Sequence, residues 1–209
     1  MKKVGLLITA ILYIFEATGQ ISGVDHLLPA TEFENGIKTN KEYHGKVLML
    51  LDSDFPNESI ISYSVFPSFS AEYSFSIQKK NNSSYVLKKS KCSENYWYSK
   101  DKTEIKVKTE VVRINKKTTK LLIELFGNVL NNCKEHVLKE GGIEIIGFDG
   151  TNYYFLLKRE NEIQTGKTWS PRTKNMKELV AINDSIFSSS NLNNKVLNNR
   201  IKKLINEIK

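Results

Sequence analysis

The sequence predicts an α+β fold: an antiparallel β-meander of about six strands, followed by a helix, a β-hairpin, a second helix and a C-terminal amphipathic helix. Three observations carry this. Residues 73–78, YSFSIQ, alternate large apolar with small polar side chains, the period of a half-buried strand. Residues 115–133 and 176–187 instead space their apolar side chains three and four apart, as a helix lying on a core does. Asp149-Gly150, a pair that accepts the positive φ of a tight turn, separates two short apolar runs, 143–147 and 153–157. Strands gathered early and helices late describe α+β rather than an alternating α/β chain.

Taken from the start, Lys2 and Lys3 precede the apolar run 4–15, and Ala17, Thr18 and Gly19 follow it. That is the layout of a secretory signal peptide, 1–19, cleaved after Gly19, with Gly23 as a second candidate site. The apolar run is twelve residues long, against the ~20 a membrane-spanning helix needs, and no cysteine at the cut offers a lipid attachment point. A secreted or periplasmic protein with no transmembrane segment is expected. The chain carries a formal +8, or +7 without Lys2, Lys3 and Glu16. Its positive charge sits late, because residues 20–60 balance to −4 and residues 191–209 to +4.

Residues 20–42, with Pro29, Asn35, Gly36 and Asn40, show no period and read as a lead-in. The apolar stretch 47–51, ended by Asp52-Ser53-Asp54, predicts the first strand. Asp52, Asp54 and Glu58 lack the spacing and central glycine of a calcium loop. Residues 60–66 predict a second strand, which Pro67 ends. In the third, 73–77, the aromatic face is expected inward and the serine face toward solvent. A turn at 79–83 leads to a strand over 85–87. Tyr96-Trp97-Tyr98 reads as a further strand with Trp97 facing the core. Its functional reading is a stacking platform for a sugar or base, since Lys88, Lys89, Lys91 and Lys100 surround it. No nucleic-acid module accompanies it, so nucleic acid is not an expected partner. Residues 103–114 predict the longest strand, with Ile105, Val107, Thr109 and Val111 on one face and Glu104, Lys106, Lys108 and Glu110 on the other.

Asn115 is placed to cap a helix whose stripe is Leu121, Leu122, Leu125, Phe126, Val129, Leu130 and Cys133. Gly141-Gly142 ends the connection to the hairpin. A polar loop is expected over 158–168, and Trp169-Ser170-Pro171 leads into a helix carrying Met176, Leu179, Val180, Ile186 and Phe187. Residues 188–191 mark a break between a single domain, 20–190, and a basic amphipathic helix, 191–209. That helix carries Leu192, Val196, Leu197, Ile201, Leu204, Ile205 and Ile208, and it lacks the Trp or Phe of a membrane-surface helix. Docking on the domain is expected of it.

Two cysteines, Cys92 and Cys133, are expected to bond in an oxidising compartment, closing a loop worth ~4 kcal/mol. The three histidines, His26, His44 and His136, lie too far apart to announce a metal site, and no cofactor is expected. Gly166-Lys167-Thr168 is not a phosphate loop, because Asn161 stands where its first glycine belongs. With no catalytic signature, the expected function is an exported, disulfide-stapled binding protein that sequesters or inhibits a protein partner. Trp169 with Tyr153 or Tyr154, and separately Trp97, are the candidate contacts. Two further readings stand beside it: a binder of acidic glycan or lipid headgroups through residues 79–102 or the C-terminal helix, and a hydrolase whose site assembles in space.

Overall fold

The computed structural model describes residues 25–30, 38–51, 59–81, 84–135, 150–160 and 162–208. The expected signal peptide, the acidic turn at 52–58, His136 and the hairpin arm at 143–147 lie outside them. The elements in chain order are β1 (Leu28–Pro29), α1 (Lys38–Leu51), β2 (Ser59–Pro67), β3 (Tyr73–Lys79), β4 (Tyr85–Cys92), β5 (Val107–Ile114), α2 (Lys116–Asn131), β6 (Thr151–Arg159), β7 (Glu162–Trp169), α3 (Lys174–Ser188) and α4 (Lys195–Ile208). The fold is α+β, and the seven strands among the described residues form one antiparallel sheet in the order β1-β7-β6-β2-β3-β4-β5.

The meander β2 to β5 runs outward to one edge. The chain then returns across the sheet through α2, and β6 pairs with β2 on its other side. Asn115 begins α2 as expected, its side chain accepting from Thr118 N at 2.7 Å. Leu122, Leu125, Phe126, Val129 and Leu130 turn inward, onto a core built from Ile61, Tyr63, Val65, Phe75, Ile77, Leu87, Phe155 and Leu157 of the strands. Met176, Leu179, Ile182 and Ile186 of α3, and Leu197, Ile201, Leu204 and Ile205 of α4, complete it. The C-terminal helix thus docks on the domain. Arg200 fixes it to α3 by donating from Nε and Nη2 to the two carboxylate oxygens of Glu178, at 2.9 and 3.2 Å. Beneath, Thr118 Oγ1 donates to Asn198 Oδ1 at 2.9 Å.

Several expectations are corrected. The stretch 47–51 is not a strand but the end of α1: helical period buries Val47 and Leu51 and leaves Met49 exposed. The polar stretch 158–168 is not a loop, since most of it is β7, paired along β6 from Asn152↔Trp169 to Arg159↔Glu162. Both edges of β6 are therefore taken, by β2 and β7, and the hairpin it forms is with β7. Glu160 takes a positive φ of 49° in that tight connection. Residues 96–98 form a turn rather than a strand. Residues 103–106 precede β5, so that strand is eight residues against nine in β2 and β6.

The serine face is not solvated: Ser62, Ser64, Ser74, Ser76 and Ser90 are all buried. They share that second face with Phe66, Tyr154 and Cys92, and together with Val47 and Leu51 of α1 and Ile105 the three larger side chains form a second, smaller core. A sheet covered on both sides needs no solvated face. This also explains why Cys92 and Cys133 are not bonded. Cys92 lies in the second core, whereas Cys133 follows α2 and packs on the first, so the sheet stands between them.

Candidate functional site

The second core opens at one end of the sheet onto an aromatic surface. Tyr43 of α1 stands edge-on to Phe66, at 5.8 Å between centroids, and to Trp97, at 5.4 Å. His44 and Tyr154 close the inner side, each packed edge-on against Phe66. Above them Phe69, in the β2–β3 turn, stacks on Tyr98, in the β4–β5 connection, at 6.0 Å and 15° between ring planes. Phe69, Tyr98 and Trp97 are 70%, 60% and 53% exposed.

The two loops that carry these rings are tied together by polar side chains. Glu72, with no exposed surface, accepts from Tyr43 Oη at 2.6 Å and from Tyr96 N at 3.0 and 2.9 Å. Asn95 donates its amide hydrogens to Pro67 O at 3.0 Å and Ser70 O at 2.8 Å, and its Oδ1 accepts from Tyr98 N at 3.2 Å. Lys102 donates to the carbonyls of Trp97 and Ser99, and its ammonium lies 5.2 Å from the Tyr96 ring centroid. Because each loop supplies partners for the other, the exposed rings sit on a fixed backbone.

Burial holds the titratable side chains of the second core that support the rings in their neutral forms. Burial, and then the hydrogen bond to Glu72, push the Tyr43 phenol above its ordinary range. Burial lowers His44 to about 4 and pushes the Cys92 thiol up to about 12. At neutral pH none of these three is ionised, so they form an apolar support rather than an acid–base pair. Among the described residues no group of three or more His, Cys, Asp or Glu is placed to hold a metal ion, and no helix is long and apolar enough to cross a membrane.

Of the residues singled out from the sequence, Trp97 belongs to this surface, and Tyr154 lies buried beneath it, its hydroxyl 3.5 Å from His44 Nε2. Tyr153 points to the opposite face, stacked on Tyr63. Trp169 lies over Gly150, where a Cβ would come within 2.4 Å of its Nε1. The sequence pairing of Trp169 with Tyr153 is thus split between the two faces of the sheet. Within the basic stretch 79–102, Lys89 is buried, donating to Ser189 O and lying 3.8 Å from Glu110, and Lys102 holds the aromatic turn. Phe69, Glu72, Asn95 and Tyr43 were not legible as site residues. Phe69 alone carried a local signal, a large aromatic among Pro67, Ser68 and Ser70. The others act on partners 24 to 29 residues away.

Compared with known proteins, the chain matches no family model, no curated protein and no solved structure.

Proposed function

We propose that this is an exported, non-catalytic binding protein that engages a protein partner through Phe69, Trp97 and Tyr98. The observation that carries the reading is three exposed aromatic rings on loops that Glu72 and Asn95 pin from below. Aromatic side chains dominate binding hot spots, and a backbone already ordered in the free protein lowers the entropy lost on association. A protein is favoured over a glycan because the polar groups beside the rings are committed. The Asn95 amide and the Glu72 carboxylate spend their hydrogen bonds inside the loops, leaving little to recognise sugar hydroxyls. Sequestration or inhibition of the partner is the role this size and surface suit.

The test is affinity capture with the full chain carrying a C-terminal tag, expressed with its leader, from envelope and secreted fractions. One near-stoichiometric protein that survives added salt is expected. It should be lost when Phe69→Ala, Trp97→Ala and Tyr98→Ala are combined, with the circular dichroism spectrum unchanged. Capture that persists in the triple variant, or capture of nothing by the wild type, overturns the reading. A mature N-terminus at Gln20 or Val24 is the result expected if the leader is processed.

A further inference from the structure

A groove on the helical face, away from the aromatic surface, is lined by Lys116, Lys117, Lys120, Leu121 and Glu124 of α2 and by Lys202 of α4, around a space of about 400 Å³. Four lysines thus line one concavity, with Glu124 the one carboxylate among the lining residues. All four lysines are exposed, and Leu121, half-buried, contributes an apolar patch of wall. No ion pair among the described residues involves Lys116, Lys117, Lys120 or Lys202.

Their placement opposes local preference. Lys116 and Lys117 open α2, whose first turn holds no acidic residue. The partial positive charge at a helix N-terminus disfavours cations there, and neighbouring lysines add to the repulsion. A merely solvated face would be as well served by Glu or Asp at those positions. Lys202 adds a fourth cation from α4, a helix held against α2 by the first core and by the Thr118–Asn198 hydrogen bond. Local rules broken together at one concave place are what a ligand site looks like.

We infer that this groove binds a phosphoryl-bearing anion. The choice of phosphate follows from the donors. A planar carboxylate is matched by the fork of arginine, whereas compact ammonium groups on flexible stems, supplied from two helices, suit a tetrahedral, multiply charged oxyanion. Arg200, the arginine of α4, is turned to Glu178 instead. The phosphoryl group belongs either to a soluble compound or to a lipid headgroup.

The full folded chain is titrated at low ionic strength with inorganic pyrophosphate, followed by calorimetry. In parallel it is floated with phosphatidylcholine vesicles prepared with and without phosphatidylglycerol. Binding to pyrophosphate identifies a soluble phosphate ligand, and binding only to the anionic vesicles identifies a headgroup. Combining Lys117→Gln, Lys120→Gln and Lys202→Gln is expected to weaken binding about tenfold. A control that removes the same charge from the strand side, Lys91→Gln, Lys106→Gln and Lys108→Gln, should weaken it less than about twofold. These are exposed side chains, so the melting temperature reports that each variant is folded. An equal loss in the control, no loss in the groove variant, or no binding of either probe overturns the assignment.

Discussion

Glu72 is the residue on which the aromatic surface most depends, and its replacement separates two opposing effects. As a carboxylate without exposed surface it carries a desolvation cost, offset by three hydrogen-bond contacts: Tyr43 Oη at 2.6 Å and Tyr96 N to both oxygens. In Glu72→Ala the Tyr43 hydroxyl and the Tyr96 amide both lose their acceptor, at roughly 1–3 kcal/mol each. With the small cavity left behind, the expected loss is about 4 kcal/mol. In Glu72→Gln the shape survives: the amide oxygen in the Oε1 position still accepts from Tyr43 Oη and Tyr96 N, while the NH₂ in the Oε2 position faces the Tyr96 N–H and accepts nothing. The charge assistance and one of the two contacts to Tyr96 N are lost, about 1–2 kcal/mol. Urea unfolding followed by far-UV circular dichroism gives both values, and Trp97, edge-on to Tyr43, reports by fluorescence whether the loop loosens before the sheet. An alanine variant within about 1 kcal/mol of wild type would mean that the cost of burying the carboxylate cancels its bonds, and the argument that Glu72 orders the loop would fail.

Four further outcomes follow from the same geometry. With Cys92 and Cys133 on opposite faces, denatured protein should titrate as two free thiols, and a reductant should leave the melting temperature unchanged. Burial raises the two cysteines to about 12 and about 11, so native protein at pH 8 should react slowly with a thiol reagent. Because burial lowers His44 to about 4, the unfolded chain binds its proton first as pH falls. The stability this residue contributes is complete above pH ~6.5 and lost progressively toward pH 4, about 3 kcal/mol in all. His44→Phe should flatten that acid limb in urea unfolding at pH 7 and pH 4, and an unchanged limb would remove His44 as its cause. Gly166→Ala should cost about 1–3 kcal/mol, since a Cβ there would meet Leu130 Cδ2 at 2.9 Å and Leu27 Cδ1 at 3.0 Å. A midpoint above wild type in the same assay would show that the gap can open.

The cluster Tyr63–Asp184–Tyr73 illustrates how the two faces of the sheet differ in kind. Both phenols donate to Asp184 Oδ1 at 2.8 Å, pinning α3 to β2 and β3 on the helical side. Burial, with Asp184 adding to it, holds both tyrosines protonated through the physiological range. On the opposite side the polar side chains tie loop to loop, and there the aromatic rings reach solvent. Asn183, in a glycosylation-type sequence with Asp184 and Ser185, is fully buried within α3 and donates to Leu179 O at 2.8 Å. That places this sequon in the packing of the helix.

What the sequence determined by itself is the local part of the fold. The α+β class follows from periodicity and capping. The alternation in 73–78, the Asn115 cap with its stripe through Leu130, and the spacing of Met176, Leu179 and Val180 appear in the structure as β3, α2 and α3, because neighbours along the chain specify them. Period states which residues share a face, but not what will cover that face. The serines of β2 and β3 share one as the alternation requires, yet tertiary packing buries them. β7 has no apolar period, since its middle residue, Gly166, is where Leu27 and Leu130 pack. Residues 47–51 give a run too short to separate helix from strand, and α1 is settled by burying His44, Val47 and Leu51 together. The separation of Cys92 from Cys133, the exposure of Trp97, its contact with Tyr43 and the stacking of Phe69 on Tyr98 depend on how the chain folds back over its own sheet. Only the folded structure decides these, because each rests on contacts between segments far apart in sequence.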